Sequence, residues 1–389
     1  MGRQECLPHQ CIMKTIRFGI IGCGLMGREF ASAAARWCHL TDLNVRPVIT
    51  AVCDKNAELF GWYRNNFPTI TTYTSEHKEL LARNDVDAIY CAVPHNLHAD
   101  IYIDIIKAGK HLLGEKPFGI DLEANNKILQ AIEANPKTFV RCSSEFPYYP
   151  AVQRIIAAAK ENRFGKILEV ESGFHHSSDL DPNKPINWKR MVRFNGEYGC
   201  MGDLGMHTLH VPLRLGWVPQ DVRAILTKAV RERPGKDGKM EPCETWDNAT
   251  LLCTAKAADG ATFPITITQK RISPGDSNTW FLKVRGMRAS MEFSTQFPKT
   301  LRWMDYTPGG EQAWKHEDIG YAPPFKTITG HIFEFGLIDA ILQMWAAFCA
   351  ELAGERVPFG CATPQETVIS HRLFTAALKS QKENSVAKV

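Results

Sequence analysis

The sequence predicts an α/β protein of two parts. The first is a doubly wound parallel sheet, and the second an α/β domain built on an open, mostly antiparallel sheet. Two observations predict it. Up to residue 142 short apolar runs alternate with helix-like stretches, the pattern of parallel strands joined by crossover helices. Beyond residue 165 strand-like runs follow one another with few helices between, as antiparallel neighbours do. At 389 residues the chain has room for two separate cores. Its 44% apolar and 23% charged content is that of an ordinary globular protein.

In order, residues 16–21 read as a buried strand and 28–37, alanine-rich and unbroken, as a helix. A second strand spans 48–53, a helix 56–66 ends at Pro68, and Ser75 caps a short helix to Arg83. Strand 86–93 stops at Pro94, helix 97–108 at Gly109, and strand 110–114 delivers Glu115-Lys116-Pro117. A helix at 122–135 and a strand at 138–142 complete this half. Helix 151–161 opens the second half, followed by strands at 167–175, 222–230, 248–255, 262–271, 280–284 and 290–293. Ala258-Asp259-Gly260 supplies a hairpin turn, and helices at 333–352 and 364–382 close the chain. The domains are therefore 13–145 and 146–389, with the last helices packing back toward the first domain and residues 1–12 forming a loose extension.

Several classes are excluded. A net charge of +4, dispersed along the chain, suits no nucleic-acid partner. The longest apolar stretch is interrupted by Glu334, Asp339, Gln343 and Glu351, so it reads as an amphipathic helix and not a membrane span. Twelve cysteines lack a spacing framework, and Cys53, Cys91 and Cys253 fall in strands. They read as small buried hydrophobes in a reducing compartment. With no apolar signal-peptide core in residues 1–12, a cytoplasmic location is expected. Cys6, His9 and Cys11 lie together there with the spacing of chance. One sheet face is left to cover substrate or another subunit; an apolar patch there would pair subunits in water.

Function begins at Gly22-Cys23-Gly24-Leu25-Met26-Gly27. Between a strand and a helix, G-x-G-x-x-G is the Rossmann fingerprint. Its glycines allow a tight turn and bring backbone N–H groups to a pyrophosphate at the helix N-terminus. The next strand ends in Asp54, whose carboxylate accepts hydrogen bonds from an adenosine ribose and repels a 2′-phosphate. NAD is expected over NADP.

Ligands of such sheets bind at the carboxyl ends of the strands, where Lys116 follows its strand directly. A lysine beside a nicotinamide stabilises a developing alkoxide; by position alone, Lys116 reads equally as a surface lysine. In Gly202-Asp203-Leu204-Gly205-Met206-His207 the aspartate and histidine stand four apart, on one helix face. An aspartate orienting an imidazole is a general-base arrangement, and a surface i,i+4 pair fits the spacing equally. Glycines 196, 199, 202 and 205 leave backbone bare for a ligand.

Together these motifs resemble the glucose–fructose oxidoreductase and inositol dehydrogenase (Gfo/Idh/MocA) family, over nearly the whole chain. The resemblance implies that Lys116, Asp203 and His207 form the catalytic group. It implies cofactor contacts from Val93, Pro94, His95, Asn96 and His98 under the nicotinamide ribose, and from Glu115, Trp188 and Lys189. Three departures touch the substrate pocket: His210 replaces an aspartate, the usual arginine near 147 is missing, and Glu145 stands where an asparagine would. The run from Asp181 to Lys189 is similar to that of members acting on sugar rings, the levoglucosan and glucoside 3-dehydrogenases. Tyr148, Tyr149, Phe174 and Trp188 then offer stacking faces for a pyranose, while Glu145, His175 and His176 bind hydroxyls. No metal is expected: His207, His210, His175 and His176 lack a cysteine or acidic ligand at typical spacing.

The reading is an NAD-dependent oxidoreductase that interconverts a secondary alcohol and a ketone on a sugar, glycoside or cyclic polyol, C3 of a glucoside being one such position. His207 takes the proton, Lys116 stabilises the oxyanion, and Asp203 holds the histidine. An NAD-dependent glycosidase acting through a transient keto-sugar keeps the same first step. A non-enzymatic nucleotide-dependent regulator shares the architecture. The resemblance implies a homodimer or homotetramer.

Overall fold

In the computed structural model residues 13–320 and 323–389 are described, so the extension at 1–12 and its Cys6, His9 and Cys11 lie outside. The first sheet is β1 (Lys14–Ile21), β2 (Val45–Cys53), β3 (Thr72–Thr74), β4 (Ala88–Cys91), β5 (His111–Gly114) and β6 (Val140–Cys142). All pairings are parallel, in the order β3-β2-β1-β4-β5-β6. This is the doubly wound order, with its crevice where β1 and β4 diverge to opposite sides. The crossovers are α1 (Leu25–Ala35), α2 (Phe60–Asn66), α3 (His77–Leu81), α4 (His98–Lys107) and α5 (Leu122–Ala134). The second helix is shorter than expected because Asn56 caps a 3-10 turn at Ala57–Leu59 before α2 begins.

After α6 (Pro150–Lys160) comes the second sheet. Its strands are β7 (Ile167–His176), β8 (Val218–Pro219), β9 (Asp221–Thr227), β12 (Asn248–Lys256), β13 (Thr262–Lys270), β14 (Asn278–Gly286), β15 (Ala289–Ser294), β16 (Thr300–Asp305), β17 (Lys315–Asp318) and β18 (Ala387–Lys388). A separate hairpin is made by β10 (Glu232–Pro234) and β11 (Met240–Pro242). The order is β17-β16-β15-β14-β7-β13-β12-β9-β18, antiparallel except for β7 beside β13. The expected strand at 222–230 ends early because the Asp247 carboxylate accepts from the N–H groups of Ala229 and Val230.

Between the domains lie α7 (Val192–Asn195) and α8 (Cys200–Arg214). From Cys200 to Leu213 every residue of α8 is buried. The helix rests on the second sheet, where the Thr208 carbonyl accepts from Ser172 Oγ at 2.8 Å and Gln269 Nε2 donates to Thr208 Oγ1 at 3.0 Å. On its far side runs α10 (Pro364–Glu383), against which Gly205 packs so closely that a Cβ would stand 2.1 Å from the Phe374 ring. Gly199 likewise meets the backbone of Trp246. These two glycines serve close packing, not the ligand approach expected of them.

The terminal helices return to the first domain. Helix α9 (Leu337–Ala353) starts four residues later than expected, where Asp339 accepts from the Gly336 N–H. It packs along α1 through the Arg36–Asp339 ion pair, and its Trp345 stacks on Phe18 of β1 with centroids 5.1 Å apart. Helix α10 braces the turn after β5, since His371 Nε2 donates to the Pro117 carbonyl at 2.8 Å.

The open face of the second sheet is mixed. Ile225 and Leu252 are exposed on it, and Phe281 and Phe297 line a cavity there. Thr250, Thr254, Thr266 and Thr268 share its surface with the ion pairs Lys283–Glu171 and Arg302–Glu292. Strand alternation sends the other apolar residues of these strands inward to α8. Among the described residues no helix is long and apolar enough to cross a membrane, and the ten described cysteines are free.

Candidate active site

The crevice is built first from the glycine turn. Gly22 has φ +99°, and a Cβ on it would lie 2.3 Å from the Ala92 carbonyl oxygen of the neighbouring strand end. A Cβ on Gly27 would stand 2.1 Å from the Gly22 carbonyl, so both glycines let α1 start tight against the sheet. Gly24 faces open space, and no side chain caps the first N–H groups of α1. Leu25 is 66% exposed at the same mouth, and Met26 is half-buried beside it. Asp54 sits against the turn: its Oδ2 accepts from the Cys23 N–H at 2.7 Å and its Oδ1 from the Asn56 N–H at 2.8 Å. Bare amides, an open glycine and a carboxylate at the end of β2 fit a dinucleotide.

At the end of β4, Val93 and Pro94 are half-buried, while His95 and His98 are buried. His98 is a brace. Its Nε2 donates to the Val93 carbonyl at 3.0 Å and its Nδ1 accepts from the Gly119 N–H, tying this segment to the turn after Lys116. Asn96 keeps a buried Oδ1 without a partner. His95 packs edge-on against Trp188 at 5.0 Å. Glu115 is committed to the sheet, accepting from the Tyr90 hydroxyl at 2.6 Å.

Asp203 departs from the expected role. Its carboxylate does not reach the His207 ring but gathers three cations. Lys116 Nζ donates to Oδ1 at 2.9 Å and to the Asp203 carbonyl at 2.6 Å. Lys189 Nζ contacts both carboxylate oxygens at 3.0 Å, and Arg271 donates to Oδ2. Burial alone would raise the Asp203 pKa, but Lys116, Lys189 and Arg271 overcome it and hold the group well below the usual carboxylate range. Burial opposes the Lys116 charge as well; Asp203 and Glu115 outweigh it and lift Lys116 above the ordinary lysine value. Lys189 goes the other way, pulled down to about 8 by burial despite Asp203.

His207 stands one helical turn on, its ring edge-on to Phe146 at 5.3 Å and to Phe174 at 5.4 Å. Burial, reinforced by Lys116, drops its pKa well below the usual histidine value, so the ring is neutral at physiological pH. Glu145, on the turn after β6, places Oε2 3.7 Å from His207 Nδ1. Burial, with Glu115 adding to it, raises the Glu145 pKa to about 7.

Two expected substrate residues sit elsewhere. His175 faces the opposite side of β7, bonded to Thr268 Oγ1 at 2.8 Å and lining a cavity of about 570 Å³ on the open sheet face. Its neighbour His176, one residue on and therefore on the other face, packs on Phe174 and lies near Asp203 and Arg271. Tyr149 is buried in an aromatic cluster with Phe146 and Phe293. His210 is turned away onto Phe359 and Arg214.

Sequence reasoning missed Arg271 and the network behind it. Arg271 also pairs with Asp179 at 2.8 Å, and buried Arg190 pairs with Asp179 and Asp247. The only sequence signal was a charged residue at the end of the expected strand 262–271. Among the described residues no cluster of His, Cys, Asp and Glu gathers as for a metal ion. The site combines a fixed ammonium at the carboxyl end of β5 with a second ammonium of low pKa and, on α8, an imidazole whose pKa is depressed. Such a set has the chemistry to bind an alcohol oxygen and accept its proton.

Comparison with known proteins agrees. Levoglucosan dehydrogenase from Pseudarthrobacter phenanthrenivorans is 25% identical over 297 residues, covering 72% of this chain and 74% of that protein. A glycosyl hydrolase family 109 protein from Bacteroides thetaiotaomicron is 26% identical over 188 residues, 46% of this chain and 38% of its own length. A solved structure of levoglucosan dehydrogenase in complex with NADH superposes with a TM-score of 0.85 at 22% identity, over 97% of this chain and 99% of that one. An oxidoreductase domain protein from Kribbella flavida gives a TM-score of 0.85 at 20% identity, over 97% and 100%. Residues 16–142 match the family described as an oxidoreductase family with NAD-binding Rossmann fold, GFO_IDH_MocA. The glycine turn, Asp54 and Lys116 all fall within the stretch that matches this NAD-binding oxidoreductase family.

Proposed function

We propose that this protein is an NAD-dependent dehydrogenase that interconverts a secondary alcohol and a ketone on a saccharide or cyclic polyol. The observation that carries it is the Lys116 ammonium held on Asp203 at the end of β5, one helical turn along α8 from His207, whose pKa burial and Lys116 push well below the usual histidine value. NAD, when bound, supplies the hydride acceptor. Lys116 holds the substrate oxygen and stabilises it as an alkoxide. Asp203 keeps Lys116 charged and aimed, and His207 accepts the hydroxyl proton. Lys189 and His176 border the same space and bind neighbouring hydroxyls, while Trp188 offers an apolar face to a sugar ring.

The substrate class rests on likeness. Levoglucosan dehydrogenase has been solved with NADH and levoglucosan, and with NADH and L-sorbose. The glycosidase alternative draws on relatives matched over less than half of this chain, and no feature of the site favours it. A panel of sugars, anhydrosugars, glycosides and inositols assayed for NADH formation, with the oxidised carbon located by NMR, tests the reading. Release of free sugar without net NADH would transfer the case to the glycosidase. NADH formation from none of them would end the dehydrogenase reading.

Cofactor choice is testable separately. NAD should bind more tightly than NADP because Asp54 repels a 2′-phosphate, and Asp54→Ala should weaken NAD and narrow the gap in calorimetric titration. Lys55, the nearest cation in sequence, is paired with Glu76 at 2.6 Å and does not cancel that charge. Equal or stronger NADP binding by the unaltered protein would refute this.

A further inference from the structure

The His207 ring lacks the orienting partner that a base requires. Its Nδ1 is buried without a hydrogen-bond partner, and Asp203 is occupied by Lys116, Lys189 and Arg271. Phe146 and Phe174 wall the ring edge-on, and Trp280 Nε1 donates to the His207 carbonyl at 2.8 Å, fixing the helix behind it. Into this apolar setting β6 delivers one carboxylate, Glu145, 8% exposed, with Oε2 3.7 Å from Nδ1. A small rotation of either side chain brings that separation to hydrogen-bond length.

We propose that Glu145 is the positioning residue for His207, accepting the Nδ1–H bond so that Nε2 is left as the proton acceptor. This rests on His207 being the base of the proposed dehydrogenase. In the step concerned, the substrate O–H bond breaks and its electron pair stays on oxygen. The proton forms a bond with Nε2, and the imidazolium charge is balanced across Nδ1–H by the Glu145 carboxylate. The alkoxide is left against Lys116. Glu145 thereby takes the role that spacing had suggested for Asp203. It reaches the histidine from the first domain, so the pair is complete only when the two domains are docked.

The groups facing the pair come from four directions. They are Glu115 and Lys116 at the end of β5, Asp203 on α8, His176 on β7, and Tyr149 beyond the Glu145 turn, while His210, the next turn of α8, is directed onto Phe359 and Arg214. Burial and Glu115 disfavour the Glu145 charge, while a backbone hydrogen bond and then Lys116 favour it.

The test has two arms. In the first, the protein without substrate is labelled with 15N-histidine, and the His207 tautomer is read by NMR against pH. The Nδ1–H form should dominate, and its shift should change as Glu145 ionises near pH 7. Glu145→Leu, which replaces a buried acid by an apolar side chain of similar size, should abolish that response. An unchanged tautomer and titration would overturn the proposal whatever the enzyme's substrate. In the second arm, Glu145→Gln should lower kcat about 10–100-fold with KM little altered, and flatten the limb of the rate profile near pH 7. In a His207→Ala background the same change should cost less than about twofold, because the two act as one unit. A full additive loss, or a KM effect with kcat intact, would make Glu145 a substrate hydroxyl ligand instead. Should no sugar be turned over, the first arm still decides the pairing, so its failure and that of the dehydrogenase reading are told apart.

Discussion

His207→Ala should lower turnover by about 10²–10⁴-fold while leaving NAD affinity nearly unchanged, because the ring acts on the substrate proton and not on the cofactor. The pH profile supplies an independent reading. Burial and Lys116 disfavour the imidazolium, so the folded pKa lies below the ordinary histidine value. Oxidation needs the neutral ring, and its rate should rise with pH through that depressed pKa. The limb belonging to the ring should vanish in His207→Ala, leaving any contribution from Glu145. Steady-state rates between about pH 4 and 9, with and without saturating NAD, measure both. Near-full activity with the limb intact would transfer the role to His176, which shares the cleft; His210 is turned onto Phe359 and Arg214.

Asp203→Ala should be the most damaging single change to stability. The carboxylate is the common partner of Lys116, Lys189 and Arg271, and without it these charges are left close together and largely buried. Breaking one side of a buried ion pair costs about 3–5 kcal/mol, and three cations share this anion. Asp203→Asn keeps the shape and some acceptor capacity and should lose less. The sign of the pH dependence follows from the depressed folded pKa. The stability that Asp203 contributes is present above its unfolded value and is lost as pH falls through the folded one. Urea unfolding of the three proteins at pH 7 and at about pH 2, below the unfolded aspartate value, measures this. A loss under about 1 kcal/mol in the alanine variant would show that the cations find other partners.

What the sequence revealed, and what it hid, divides along physical lines. The turn from Gly22 to Gly27 was legible because steric exclusion acts within a few residues and leaves glycine no substitute. Lys116 was legible because position at a strand end is a local property. The Asp203–His207 spacing was legible too, yet the partner of each side chain was not. Arg271 reaches Asp203 from 68 residues away, and Glu145 approaches His207 from the turn after β6, the last strand of the first sheet. An i,i+4 spacing makes contact available without deciding whether a stronger partner claims the group first. His175 and His176 differ by one position, and strand parity alone sends one to the cleft and the other to the far face; the frame of that strand is set by β13 and β14 pairing, which no local signal encodes.

The docking of α9 along α1 ties the order of synthesis to the order of completion. The nucleotide-binding half leaves the ribosome first, yet Phe18 and Phe30 at its centre are covered by Trp345, near the end of the chain. Until residue 353 has been made, that half carries an uncovered aromatic surface, so the domain begun first is finished last. A chain cut at residue 336 should therefore aggregate, or need a holding chaperone, although every glycine, carboxylate and lysine of the crevice is present. Addition of a peptide spanning 337–353 should restore NAD binding to it, and a truncated chain that binds NAD unaided would show that the first domain closes its own core.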